Sequence, residues 1–347
     1  MDQNFTSVMM VIMSLMSIVI VVINVTCIYV ILASTLLRHK TTTILIVSLL
    51  FFHLLQGLFV IPFYTAKKSS ISNETAKKII CDGFRFSYMV TFYGVCVNVL
   101  LISVDRFLAV KLLTSYKLIV TDRRVKAVTL AVWLYMFLVC LIPFIDIQRT
   151  ESNKTTACNY NQPREWTIFM LLCNTMLSYI VISYCYSYIY VKLSVSENKT
   201  RSSSSEPMTN QPEQIERLRD SVYSEDGSQR DDSCRKIIKL TFIIVIVYGV
   251  TWTPSIIYYL LVSISPFLFS QDYYNSTTES YVTFFVKFVS FFDAIGAPVI
   301  YCYFHTDFRH EFLTVWEKCV AWFSARSNEE NGFVHEKTHP SKCLPDV

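Results

Sequence analysis

Charged residues are scarce in this chain: Asp, Glu, Lys and Arg supply 17% of its 347 residues, against 52% hydrophobic. Soluble globular domains carry nearer a quarter of charged residues, so a soluble domain is excluded. Glycine is scarce too, with 7 residues, and no glycine-rich phosphate loop can be found. The six histidines are scattered, without the paired spacing that holds a metal. No nucleophile, acid and base converge at a spacing suited to catalysis. Neither an enzyme nor a metal or cofactor site is expected. A basic segment ahead of the first apolar run is missing as well, and that run is too long for a signal-peptide core. It is expected to stay as a helix.

What the chain does have is apolar length. Crossing about 30 Å of hydrocarbon takes about 20 residues at a rise of about 1.5 Å each. Runs near 8–36, 42–66, 79–111, 124–146, 165–194, 235–263 and 278–304 meet that need. The expected fold is an all-α membrane protein, a seven-transmembrane helix bundle over 8–304 with 1–7 as an extracellular N-terminus. The stretch 195–234 is polar and rich in Ser, Glu and Arg, with serines at 202–205 in a row, which predicts a disordered third cytoplasmic loop. Phosphate on those serines would add negative charge beside the basic foot of the sixth helix. Phe304, Phe308, Phe312, Val315, Trp316 and Cys319 recur at near-helical spacing, predicting a short cytoplasmic interfacial helix over 305–322. Residues 323–347 form a polar cytoplasmic tail.

Lys and Arg near the span ends set the orientation. Arg38 and Lys40 follow the first span, Lys111, Lys117, Arg123, Arg124 and Lys126 follow the third, and Arg235, Lys236 and Lys239 precede the sixth. These belong to the cytoplasmic side. Lys67, Lys68, Lys77 and Lys78 crowd an opposite loop and blur the rule. Asn4, Asn73, Asn153 and Asn275 each open an Asn-x-Ser/Thr triplet on the side this assigns outside, where they would accept glycans. Asn24 and Asn198 open such triplets too, but inside a span and in the cytoplasm. Most of the 11 cysteines are expected as reduced thiols that fill apolar space. Cys81 and Cys158 differ, since both face an oxidising compartment and can pair. Cys319 is placed for palmitoylation, with an unmodified thiol as the alternative.

Ionisable residues and prolines inside spans need a reason. Arg at the centre of a membrane helix costs about 2.5–3.5 kcal/mol, and Arg106, between Asp105 and Phe107, ends a long apolar stretch. Asp105 partly neutralises it. Pro254, two residues after Trp252, and Pro298, three before Tyr301, each remove a backbone hydrogen bond and kink their helices. Either kink alone suits simple packing; two on the Arg106 side suggest levers.

Taken in order, Asn24, Cys81, Asp105–Arg106–Phe107, Trp133, Pro143, Cys158, Tyr186, Trp252, Pro254, Pro298, Tyr301 and Phe308 make the chain resemble a rhodopsin-like (class A) G-protein-coupled receptor, as a divergent, orphan-like member. The resemblance covers nearly the whole chain except the third cytoplasmic loop and the tail. It implies a Cys81–Cys158 bridge pinning the second extracellular loop over the ligand entrance, and Trp252 as the floor of the pocket. It implies that Arg106 leaves Asp105 on activation and meets Tyr186 and Tyr301 as the sixth helix swings outward. The cleft would then accept a Gα C-terminal helix.

Departures from the family pattern matter as much. His53, Val95 and Ala297 stand where relatives hold sodium with Asp, Ser and Asn, so the usual sodium site is not expected. Asp293, just over one turn before Pro298, should point toward His53, and a charged pair could replace the ion. The alternative is a neutral His53 hydrogen-bonded to Asn24. Cys234 stands where many relatives clamp the arginine with Glu, unless Asp231 or Asp232 reaches, so Arg106 is expected to rely chiefly on Asp105 with raised basal activity. Ser178 replaces the usual fifth-helix proline and Tyr248 the common Phe.

Tyr88 stands where amine receptors carry Asp, and Phe291 where opsins carry the retinal lysine, which disfavours both classes. Tyr88, Phe92, Trp252, Ser255, Tyr259 and Lys287 are the expected pocket wall, with Arg85 at the rim. Arg85 and Lys287 suit a carboxylate or phosphate, hence an acidic lipid, metabolite or peptide C-terminus. The alternative has Arg85 facing water and Lys287 snorkelling outward. The expected function is transduction of an extracellular ligand to a heterotrimeric G protein at the plasma membrane, with arrestin and receptor kinases as further partners and no nucleic acid. Two other readings are a receptor fold without G-protein output, acting as scaffold or scavenger, and a seven-helix transporter, which would need a continuous polar path.

Overall fold

In hydrocarbon every backbone N–H and C=O must be bonded within its own segment, so apolar runs of this length become helices. A computed structural model describes residues 3–38, 41–69, 72–112, 115–150, 164–203, 214–264, 277–305, 307–318 and 320–321. Among them are seven long helices: α1 (Gln3–Ala33), α2 (Thr41–Lys68), α3 (Glu74–Leu112), α4 (Asp122–Thr150), α5 (Arg164–Met170 continued through Leu177–Ser203), α6 (Gln214–Ile264) and α7 (Thr277–Phe291 continued by Asp293–Phe304). Residues 307–318 add a short α8. Six of the long helices are apolar and long enough to cross a membrane.

The remaining long helix, α3, is the axis of the bundle, packed against α2, α4, α5 and α6, while α1 closes against α2 and α7. Its central place explains its composition, because Asn98, Asp105 and Arg106 are all buried on it. Lipid-facing positions elsewhere are bare and apolar, as with Val8, Leu15 and Val22 on α1 and Leu130, Leu134 and Leu138 on α4. The α2–α3 contact is close at Gly94, where a Cβ would run into the Phe52 ring.

Three helices depart from regular winding, each with a cause or a consequence in side chains. In α2 a π-helical turn spans Gln56–Val60 just ahead of Pro62. In α5 another spans Leu171–Met176, where the Asn174 carbonyl accepts from Ser178 Oγ at 2.5 Å and Cys96 Sγ at 3.2 Å. A hydroxyl thus serves the widened turn in a helix without proline. α7 is interrupted at Phe292, and Asp293 opens its second half, the end where a helix favours negative charge.

Two segments differ from the sequence expectation. Residues 3–7, polar apart from Phe5, are already helical, so α1 begins ahead of its apolar run. Over 195–234, expected to lack structure, α5 continues to Ser203 and α6 begins at Gln214, with 204–213 outside the described residues. Extending an existing helix adds one hydrogen bond per residue without a new nucleation cost, and Glu216, Arg217 and Arg219 are adequate helix formers.

Candidate functional site

At one end of α3, Asp105 and Arg106 are each 5% exposed. Arg106 Nε donates to Asp105 Oδ2 at 3.0 Å, and its Nη2 donates to the same oxygen and to Thr42 Oγ1. Thr42 Oγ1 in turn donates to Asp105 Oδ2 at 3.3 Å. Tyr116, in the one-turn helix Tyr116–Ile119 after α3, donates its phenol to Asp105 Oδ1. Burial, then the Asp105 carboxylate, pushes the Tyr116 phenol above its ordinary value, so it stays a donor. The carboxylate therefore gathers three donors, and Arg106 directs two bonds to Asp105 and one to Thr42. Thr42 and Tyr116 carried no sequence signal, because their role depends on how α2 and the α3–α4 connection meet α3.

Phe107 faces α5, 5.0 Å from Tyr188 and 5.9 Å from Tyr184. Tyr186 and Tyr301 are both buried, the first 5.2 Å from Phe242 and the second 5.1 Å from Phe308. Neither phenol has a hydrogen-bond partner of good geometry among the described residues, although Ser103 and Thr241 lie near the first and Thr43 near the second. Both buried phenols keep unused donors and acceptors, with Tyr186 within electrostatic reach of Arg106.

The bundle centre holds a second polar set. Pro298 lacks the N–H that would bond the Ala294 carbonyl, and Asn24 Nδ2 donates to that carbonyl at 2.9 Å. Asn24 also bonds Ile20 O at 2.8 Å, so its expected alternative, a bond to His53, is not made. His53 Nε2 instead lies 3.2 Å from Asp293 Oδ2, and Trp252 Nε1 donates to the same oxygen at 3.1 Å. All three side chains are at most 1% exposed. The link from Asp293 to Trp252 was not foreseen; helical spacing pointed Asp293 inward but did not give its register against α6. Pro254 lies in α6 half a turn beyond Trp252.

Above Trp252 the expected pocket wall is aromatic. Phe92 lies 4.9 Å from Trp252, Tyr88 stacks on Phe92 at 6.3 Å, and Tyr259 is 6.0 Å from Tyr88. Ser255 is turned to α7, 2.5 Å from Ser290 Oγ. Lys287 does not snorkel outward: it is 8% exposed, with Nζ 5.0 Å from the ring centres of Tyr64 and Phe84 and 5.7 Å from Tyr88. Lys67, expected in a loop, lies in the last turn of α2 instead and brings its Nζ within 5.5 Å of the same Phe84 ring. Arg85 is engaged at the rim, 3.5 Å from Asp82 and 5.8 Å from the Phe144 ring.

Cys81 is disulfide-bonded; Cys158, its expected partner, lies outside the described residues, as do Asn153, Asn275 and Cys319. Asn4 is exposed on the first turn of α1. Asn73 is exposed and caps α3, its Oδ1 accepting from Thr75 and Ala76 N–H at 2.9 and 3.2 Å. Its Nδ2, where a glycan attaches, is not used by the cap. Among the described residues no cluster of His, Cys, Asp or Glu suits a metal ion.

Residues 4–301 match the family described as 7 transmembrane receptor (rhodopsin family). The chain is 22% identical over 280 residues to G-protein coupled receptor 161 of Mus musculus, covering 77% of this chain and 49% of that protein. It is 21% identical over 255 residues to tachykinin-like peptides receptor 99D of Drosophila melanogaster, covering 68% and 44%. With G-protein coupled receptor 52 of Mus musculus it shares 23% over 302 residues, covering 86% and 78%. The chain spans about half the length of the first two relatives.

Proposed function

Because this chain belongs to the rhodopsin family of seven-transmembrane receptors, we propose that it converts binding of an extracellular ligand into activation of a heterotrimeric G protein. The observation that carries this reading is the Asp105–Arg106 pair, closed by Thr42 and Tyr116, with the unsatisfied phenol of Tyr186 in reach and that of Tyr301 on α7. Buried charge pairs persist in membrane proteins where they switch or relay. Release of Arg106 toward Tyr186 and Tyr301 would exchange one set of hydrogen bonds for another and open the end of α6 to a Gα helix. Pro254 and Pro298 are the kinks about which α6 and α7 move.

Asp293 couples this switch to the pocket. Its Oδ2 holds both His53 and Trp252, so displacement of Trp252 by a ligand disturbs the bundle centre where relatives bind sodium. The ligand meets Tyr88, Phe92, Trp252, Tyr259 and Lys287. In this reading the N-terminus is extracellular at the plasma membrane, and Cys81 and Cys158 bridge the outer loop. Asn4, Asn73, Asn153 and Asn275 are glycan acceptors, Cys319 is the palmitoylation site, and arrestin and receptor kinases meet the cytoplasmic face after activation.

Second-messenger recording in cells expressing wild type and Arg106→Ala, with surface expression matched, tests the reading. Wild type gives G-protein output and Arg106→Ala loses it. Intact surface expression with no output under any ligand would place the protein among receptor folds that act as scaffold or scavenger, and solute or ion flux would make it a transporter.

A further inference from the structure

A buried ammonium carries three donors and one charge, and both need partners. Lys287 Nζ sits among the rings of Tyr64 from α2 and Phe84 and Tyr88 from α3, and no described oxygen accepts a hydrogen bond from it. Ring faces stabilise the charge, but they leave its N–H groups unused. Half-buried Lys67 reaches the same Phe84 ring, which puts two cations around one aromatic side chain. Glu279, two turns earlier on α7, acts on both lysines through space and has another engagement. Arg85 is already committed to Asp82 and Phe144. Below the cage, Tyr88, Phe92 and Trp252 form a continuous apolar wall.

We propose that Lys287 and Lys67 form the anion subsite of the pocket and select an amphiphile with a doubly negative head, a phosphate monoester, whose apolar body lies along Tyr88, Phe92 and Trp252. The head supplies the acceptors that the two ammonium groups lack, and the rings of Tyr64 and Phe84 exclude water from the contact, which strengthens it. A singly charged carboxylate answers one lysine and leaves the other, so it binds more weakly. A neutral chain of equal length gains only from the apolar wall.

This inference rests on the pocket reading above. Its test contains no G protein, so failure of binding leaves the signalling reading standing. The full chain in nanodiscs of neutral phosphatidylcholine is equilibrated with radiolabelled dodecyl phosphate, with empty nanodiscs as background, and challenged with unlabelled dodecanoate, dodecanol and phenyl phosphate. Dodecyl phosphate binds tightest, dodecanoate about tenfold more weakly, and dodecanol more weakly still, following the number of charge-assisted contacts. Lys287→Met brings dodecyl phosphate down to the dodecanol level, and Lys67→Gln weakens it to the dodecanoate level. Phenyl phosphate, which has the head without the long apolar body, competes more weakly than dodecyl phosphate; equal competition would show that the apolar wall contributes nothing and would overturn the amphiphile. Without probe, Lys287→Met raises the melting temperature, since it removes a buried charge that lacks an acceptor. Equal affinity for all three chains, unchanged binding in Lys287→Met, or a lower melting temperature in that variant with no probe present would each overturn the proposal.

Discussion

The two ends of α3 handle buried charge in opposite ways. At the Arg106 end, the cation and its neighbouring carboxylate are enclosed with Thr42 and Tyr116, and the contacts close on themselves. At the Lys287 end, one cation lies among rings with no acceptor and a second stands beside it. A closed set of polar contacts stabilises the arrangement it is found in; an open one is stabilised by whatever completes it. The comparison separates a latch from a socket within one bundle, and substitutions at the two ends should have opposite signs.

The largest effect is expected at the latch. Asp105→Asn removes the charge that gathers Arg106, Thr42 and Tyr116 and leaves Arg106 enclosed without its counter-ion. Hydrogen bonds to charged groups contribute about 1.5–3 kcal/mol, which corresponds to a shift of about tenfold to a hundredfold in the balance between resting and active states. Basal second-messenger output should rise accordingly at matched surface expression. Output no higher than wild type would show that the resting state is held elsewhere and that the latch does not differ from the socket.

Between the two ends lies Asp293, and the comparison sharpens if it communicates with both. Asp293→Asn keeps one carbonyl oxygen with two lone pairs but removes the charge, so the contacts of both Trp252 and His53 lose their charge assistance. That loss over two buried contacts costs about 1–3 kcal/mol. A melting temperature several degrees below wild type, together with altered basal output, is the expected result in purified full-length protein. A variant that melts like wild type would mean the central oxygen is not shared as the 3.1 and 3.2 Å contacts indicate.

How far these features were legible in the sequence follows from whether they are local. Apolar runs gave the spans because hydrocarbon permits little besides helix over that length, and Asp293 could be pointed inward from its spacing to Pro298. The partners of Arg106 could not be read, because Thr42 and Tyr116 lie on other segments and meet Asp105 only through interhelical register. The same holds for the Asp293–Trp252 bond. The place of Lys67 is equally non-local, because its helix extends through the π turn at Gln56–Val60 and carries it to the Phe84 ring. The helical reach of α6 back to Gln214 was hidden by composition, since Ser, Glu and Arg suit both a disordered loop and an exposed helix.

The smallest expected effect isolates one contact of the latch. Tyr116→Phe deletes a single donor to Asp105 and leaves the carboxylate its bonds to Arg106 and Thr42. One hydrogen bond of this kind is worth about 1 kcal/mol, so basal output should rise by about fivefold at most, less than in Asp105→Asn. The phenol is pushed above its ordinary value by burial and by Asp105, and a group raised in the folded state keeps its contribution at every pH below its unfolded value, about 10. The difference between Tyr116→Phe and wild type should therefore be constant across the physiological range and shrink only in strong alkali, as the wild-type phenol ionises. A difference that vanished near neutral pH would mean that Tyr116 does not hold Asp105 through its proton, and that Thr42 and Arg106 close the latch alone.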